Sequence, residues 1–170
     1  MEKFPGRDIA RFFILIVVQV TMLDHINLQG FANPSLYLYF ILLLPFEVAG
    51  WMLLLSAFLI GFGIDSFSNS VGLHAAAATA AAFVRPYAIK LAGAPAEYEG
   101  NLKPGIGDMG LRWFFAYTLV VVFVHQFSLY MLESLRLAEA GIILVKTITG
   151  TVFTLALIVV VEYLFMRKRG

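Results

Sequence analysis

The chain has 170 residues, of which 61% are hydrophobic and only 14% charged, with a mean hydropathy of +0.86; soluble domains run at roughly 45–50% apolar and 25% charged. A water-soluble core of this length cannot enclose so much apolar surface, so the chain is expected in a membrane. A net charge of +1 excludes a basic nucleic-acid-binding face, and the absence of cysteine excludes disulfides, thiolate chemistry and Cys-type zinc sites.

From the N-terminus, Lys3, Arg7 and Arg11 precede the apolar run Phe12 to Leu23. Secretory signals open the same way, but Asp24-His25-Ile26-Asn27 stands where a small-residue cleavage site would be, so an uncleaved span over about 9–28 is expected. The next apolar segment, about 34–46, is the weakest, with only ten residues between Pro34 and Pro45. Pro34 suits a first helical turn and Pro45 ends or kinks the helix, so a short, a tilted and a re-entrant helix all fit. Glu47 lies in the turn to a third span at about 49–68. A Ser/Asn-rich turn, Ser66 to Gly72, leads to an alanine-rich fourth span at about 71–91, whose inner end Arg85 and Pro86 mark. Gly93 to Gly110 reads as a loop, rich in Gly, Pro and mixed charge and too short to hold a core. Spans at about 110–133 and 141–165 complete one all-α, polytopic integral-membrane domain over 1–170.

Charge distribution orients these six spans. With both termini cytoplasmic, the inner side holds Lys3, Arg7, Arg11, Arg85, Lys90, Lys103, Arg112, Arg167, Lys168 and Arg169, leaving only Arg136 and Lys146 outside. A re-entrant second segment flips the third span and moves Arg85 outside, which the charge bias disfavours.

Polar groups at depth are the candidate sites, since an aspartate at mid-bilayer costs roughly 2.5–3.5 kcal/mol. Asp24, His25, Asp65, His74 and His125 all fall toward the outer side. Imidazole and carboxylate together suit a divalent metal, a proton or ligand path, or hydrogen-bonded structural groups; no metal spacing such as HExxH is present. Asp65 and His74 are expected to pair across the tight outer turn, where Ser66, Ser68, Asn69 and Ser70 can satisfy helix ends and Gly72 relaxes the backbone. On the inner side Arg85 is expected to snorkel to headgroups or to pair with Glu47, Glu162 to pair locally or sit at the interface, and Lys146 to reach the outer surface.

Small residues form a second pattern. Ala75, Thr79 and Phe83 lie on one i, i+4 line, Ala76 and Ala80 on the next, and Thr147, Gly150, Thr151 and Thr154 repeat the theme in the last span. Such stripes let helices approach closely, within one bundle or against a partner helix. No nucleotide loop, metalloprotease motif, serine elbow or paired-carboxylate spacing is present, so no enzyme activity and no cofactor are expected.

The order NPSLYLYFILLLPFE, GFGIDSFSNSVGLHAAAATAAAFVRPY and WFFAYTLVVVFVHQFSLYMLE resembles the MreD family of rod shape-determining membrane proteins, in its Bacteroidetes-type form, over about residues 10–165. Gly61, Asp65, Asn69, Gly72, His74, Ala75, Arg85 and Pro86 carry the resemblance. It implies a fold similar to the six-helix substrate-binding subunits of energy-coupling-factor transporters. It also implies a non-catalytic elongasome subunit in the inner membrane, beside an MreC-like bitopic protein and, indirectly, MreB, RodA and a class B penicillin-binding protein. The family supplies no catalytic residue. Partner contacts are expected on small-residue or aromatic helix faces and at the Gly93 to Gly110 loop. A substrate-capture subunit of a transporter is the alternative; the bulky first span, FFILIVVQVTML, lacks the Ala-x-x-x-Ala coupling motif of that class. A proton-linked carrier rests on His125 alone.

Overall fold

The computed structural model describes residues 6–23, 33–68, 70–93, 102–134 and 140–167, and the side chains from Ile9 to Phe165 among them. These residues form seven α-helices and no strand. Helix α1, Gly6–Val18, continues into a π-helical turn, Gln19–Leu23. Then come α2, Leu38–Leu42; α3, Gly50–Ser68; α4, Leu73–Leu91; α5, Ile106–Met109; α6, Leu111–Ser134; and α7, Ala140–Arg167. Helices α3, α6 and α7 are long and apolar enough to cross a membrane, and Ile9–Leu23 is a shorter apolar helix. Their exposed surface is largely Phe, Leu, Ile and Val, the side chains that lipid tolerates as well as a core does.

Helix α4 packs between α3 and α6, and α6 also packs on α7. Alanines suit a helix covered on two sides, because a methyl group lets each neighbouring backbone come close. The packed positions are Ala75, Ala77, Ala78, Ala81, Ala82, Arg85, Ala88 and Ile89, so the expected Ala75–Thr79–Phe83 line is not the contact face; Phe83 is exposed. Nor do Arg85 and Pro86 end this helix. It runs through Pro86 to Leu91; a single proline removes one hydrogen bond, and Pro86 faces outward, where its ring meets no packed neighbour.

The largest departure from expectation is segment 34–46. Its only helix is the five-residue α2, which rises about 7.5 Å against a hydrocarbon core of about 30 Å. The segment lies in the centre of the bundle, with Tyr37 to Leu42 and Leu44 all buried. Asn33 meets Gln126 and Tyr130 of α6 at one end, and Leu42 meets Tyr117 of α6 at the other. It thus runs antiparallel to α6 as a buried strut, with non-helical backbone on either side of α2. Backbone of that kind is tolerable at depth only where side chains satisfy its polar groups.

Candidate functional site

At one end of the bundle, Asp65 near the end of α3 reaches across the turn to the start of α4. Its Oδ1 accepts from Ser70 Oγ at 2.6 Å, from the His74 main-chain N–H at 3.1 Å and lies 2.9 Å from His74 Nδ1. Its Oδ2 accepts from the Ala75 N–H at 2.9 Å. The carboxylate therefore caps α4 from another helix, satisfying two first-turn N–H groups and placing negative charge where the helix dipole favours it. Two glycines make this possible. Gly72 adopts φ +75, a left-handed turn that other residues resist. At Gly61, one turn before Asp65, a Cβ would lie 2.5 Å from both Ala75 Cα and the His74 carbonyl oxygen, so only glycine admits this crossing.

The expected Asp65–His74 pairing is thus present in the geometry. Its chemistry is limited, because Ser70 Oγ and Asp65 Oδ1 both crowd the same ring nitrogen, His74 Nδ1. A nucleophilic relay needs the hydroxyl and the acid on opposite nitrogens of the imidazole. His125 is fully buried and pairs through Nε2 with Tyr37 Oη at 2.5 Å, while its Nδ1 has no partner. Tyr37 also stands edge-on to the His74 ring. Among the described residues no three His, Asp or Glu side chains converge to hold a metal. Asn69, Asp24, His25 and loop residues 94–101 lie outside the described residues.

The strut carries the second polar constellation. Near its start, Gln19 of the π-helical turn donates to the Pro34 carbonyl at 3.0 Å and accepts from the Leu36 N–H at 2.9 Å. Thr154 of α7 accepts from the Ser35 N–H at 3.0 Å, and Tyr130 from the Asn33 N–H at 3.3 Å. At its far end Arg85 donates from Nη2 to the Leu44 carbonyl and, at 3.4 Å, to the Pro45 carbonyl. Arg85 Nε donates to Tyr117 Oη at 2.9 Å, and Tyr117 in turn donates to the Leu42 carbonyl at 3.1 Å.

Arg85 neither snorkels nor pairs with Glu47. It is 1% exposed, while Glu47 is exposed and takes none of its hydrogen bonds. The reason lies in the strut: Pro45 blocks continuation of α2, the last carbonyls point inward without helical partners, and a guanidinium supplies several donors in one plane. Glu162, expected to pair locally or to sit at the inner interface, takes its bonds from distant segments rather than from its own helix. It is 7% exposed and accepts from Tyr39 Oη through Oε2 and from the Ile106 N–H through Oε1 at 3.2 Å. It so ties the strut to the returning loop before α6. Lys146 lies over the Tyr130 ring, with Nζ 5.7 Å from the centroid.

Gln19, Tyr117 and Gln126 were not among the candidate residues, and Thr154 stood only in the small-residue pattern of the last span. Gln19 and Gln126 had a readable signal, an amide side chain inside an apolar run, which lipid does not tolerate unpartnered. Tyr117 had none. No protein-family model, curated protein or solved structure matches the chain.

Proposed function

We propose that the chain is a non-catalytic, multi-pass membrane scaffold of the MreD kind. It holds an MreC-like bitopic protein and, through it, the MreB filament, RodA and a class B penicillin-binding protein, so that wall synthesis keeps a rod shape. One observation favours this reading: the three buried charged side chains among the described residues, Asp65, Arg85 and Glu162, each bond the main chain of another segment. Charges committed to holding backbone are not free to bind substrate or move protons. What faces outward is an apolar helical surface suited to lipid and to partner helices. The proposed setting is the bacterial inner membrane with both termini cytoplasmic. In this reading α1 and α4 cross beside the three long apolar helices and the strut is a broken sixth crossing, as in the six-helix substrate subunits of energy-coupling-factor transporters.

Affinity capture from detergent-solubilised native membranes tests the proposal. Co-purification of an MreC-like bitopic protein, with rounding of cells on depletion, is expected. Recovery of an ATPase module or a tightly bound vitamin instead would establish the substrate-capture alternative.

A further inference from the structure

The face of α7 turned to α6 carries Thr147, Gly150, Thr151 and Thr154 at i, i+3, i+4 and i+7 spacing, all buried. Opposite them lies Gln126 of α6. Its amide nitrogen donates to Thr154 Oγ1 at 2.9 Å, to the Asn33 carbonyl at 3.3 Å, to Ser35 Oγ at 3.4 Å and to the Gly150 carbonyl at 3.5 Å. Two of these partners are main-chain carbonyls, which only accept, so the amide orientation is fixed and Oε1 must be an acceptor. That oxygen has no partner. Neither have Asn33 Oδ1, Thr147 Oγ1 and Thr151 Oγ1, and these four make up most of the seven buried, unpartnered side-chain atoms among the described residues. Gln126 Oε1 and Tyr130 Oη both lie 3.2 Å from a point a Cβ bond away from Gly150; Tyr130 accepts from the Asn33 N–H, and Thr147 and Thr151 stand on the same buried face of α7 as Gly150.

A buried polar atom without a partner costs about 1–3 kcal/mol, and native proteins relieve such groups with internal water that makes two to four bonds. The chemistry of the seam selects the ligand. Two amide oxygens need donors, and two hydroxyls can both give and take. Lys146 lies over the Tyr130 ring and the exposed Glu133 also acts on Tyr130, but among the described residues no group of His, Asp and Glu gathers to hold a metal ion. We propose that the α6–α7 seam is a built hydration site, in which internal water bridges Gln126, Asn33, Thr147 and Thr151. The two helices are joined there through solvent rather than by dry side-chain packing.

Radiolytic hydroxyl-radical footprinting of the full chain in detergent tests this, because radicals formed from internal water mark adjacent side chains that bulk solvent does not reach. Tyr130 and Tyr39 are matched in exposure, 5% and 4%, and only Tyr130 borders the seam. Tyr130 is expected to be modified severalfold faster than Tyr39, and equal rates would overturn the proposal. Thr147→Val/Thr151→Val is expected to bring the Tyr130 rate down to that of Tyr39 and to lower Tm. An unchanged or raised Tm would show dry hydroxyls relieved by removal. Thr147→Ser/Thr151→Ser, which keeps both hydroxyls, is expected to retain the fast labelling, and its loss would count against water. Stabilisation by sodium relative to choline, or a lipid adduct in native mass spectra lost from the valine variant, would assign the seam to an ion or a lipid headgroup instead.

Discussion

Three buried charges carry much of the residue-level logic, and each can be removed singly. Asp65→Ala leaves the His74 and Ala75 N–H groups and Ser70 without their acceptor. A loss of about 2 kcal/mol is expected, read as a lower Tm and folded yield in detergent; wild-type stability would remove Asp65 from the framework. Asp65→Asn should also destabilise, because an amide that keeps Oδ1 as acceptor turns its N–H₂ toward the Ala75 N–H. Arg85→Lys tests the guanidinium fork. One ammonium cannot reach the Leu44 and Pro45 carbonyls and Tyr117 together in the same geometry, so destabilisation despite retained charge is expected in thermal melts. A neutral outcome would mean that charge alone suffices at this position.

Between α3 and α4, the controlling quantity is how closely two backbones approach. A methyl group at Gly61 would overlap main-chain atoms of His74 and Ala75, which cannot move aside as a side chain can. Gly61→Ala is therefore expected to cost about 1–3 kcal/mol. Gly141→Ala is the control: a Cβ there meets nothing within 4 Å, and in a helix alanine is favoured over glycine by about 0.5–1 kcal/mol. Equal melting temperatures for the two variants would mean that the α3–α4 crossing is not tight. The strut has its own test in Gln19→Leu, which strips the Pro34 carbonyl and the Leu36 N–H of their partner. Faster amide exchange confined to residues 33–44 is expected by hydrogen-exchange mass spectrometry, because the strut has few other backbone bonds to fall back on.

Over the whole molecule, three long apolar helices make a membrane the natural solvent, and the proposed orientation puts the two ends of the bundle on opposite sides. The chain has no cysteine, so single-cysteine labelling reads topology without background. Val71, 97% exposed in the turn before α4, should as Val71→Cys react with an impermeant maleimide in right-side-out vesicles. Lys103→Cys, before α5, should react only once the vesicles are inverted. Reaction of both from one side would contradict the orientation derived from the basic residues.

The helices α3, α4, α6 and α7 were legible in the sequence to within two residues, because the length of an apolar run is a local property of the chain and lipid imposes it directly. The Asp65–His74 contact was legible too, since only nine residues separate them and a tight turn must bring their helix ends together. The strut was not. Prolines at 34 and 45 marked the segment as the weakest and left a short, a tilted and a re-entrant helix open, but where its freed backbone groups would find partners depended on residues far along the chain. Arg85 lies 41 residues from Leu44, Thr154 lies 119 from Ser35, and Glu162 lies 123 from Tyr39. Sequence by itself determined that this chain is helical and membrane-sized, because hydrophobicity and backbone self-satisfaction act along the chain. Only tertiary structure decided that its buried charges turn inward to hold helix ends and broken backbone, because satisfying a hydrogen bond away from water is settled by whatever lies across the core.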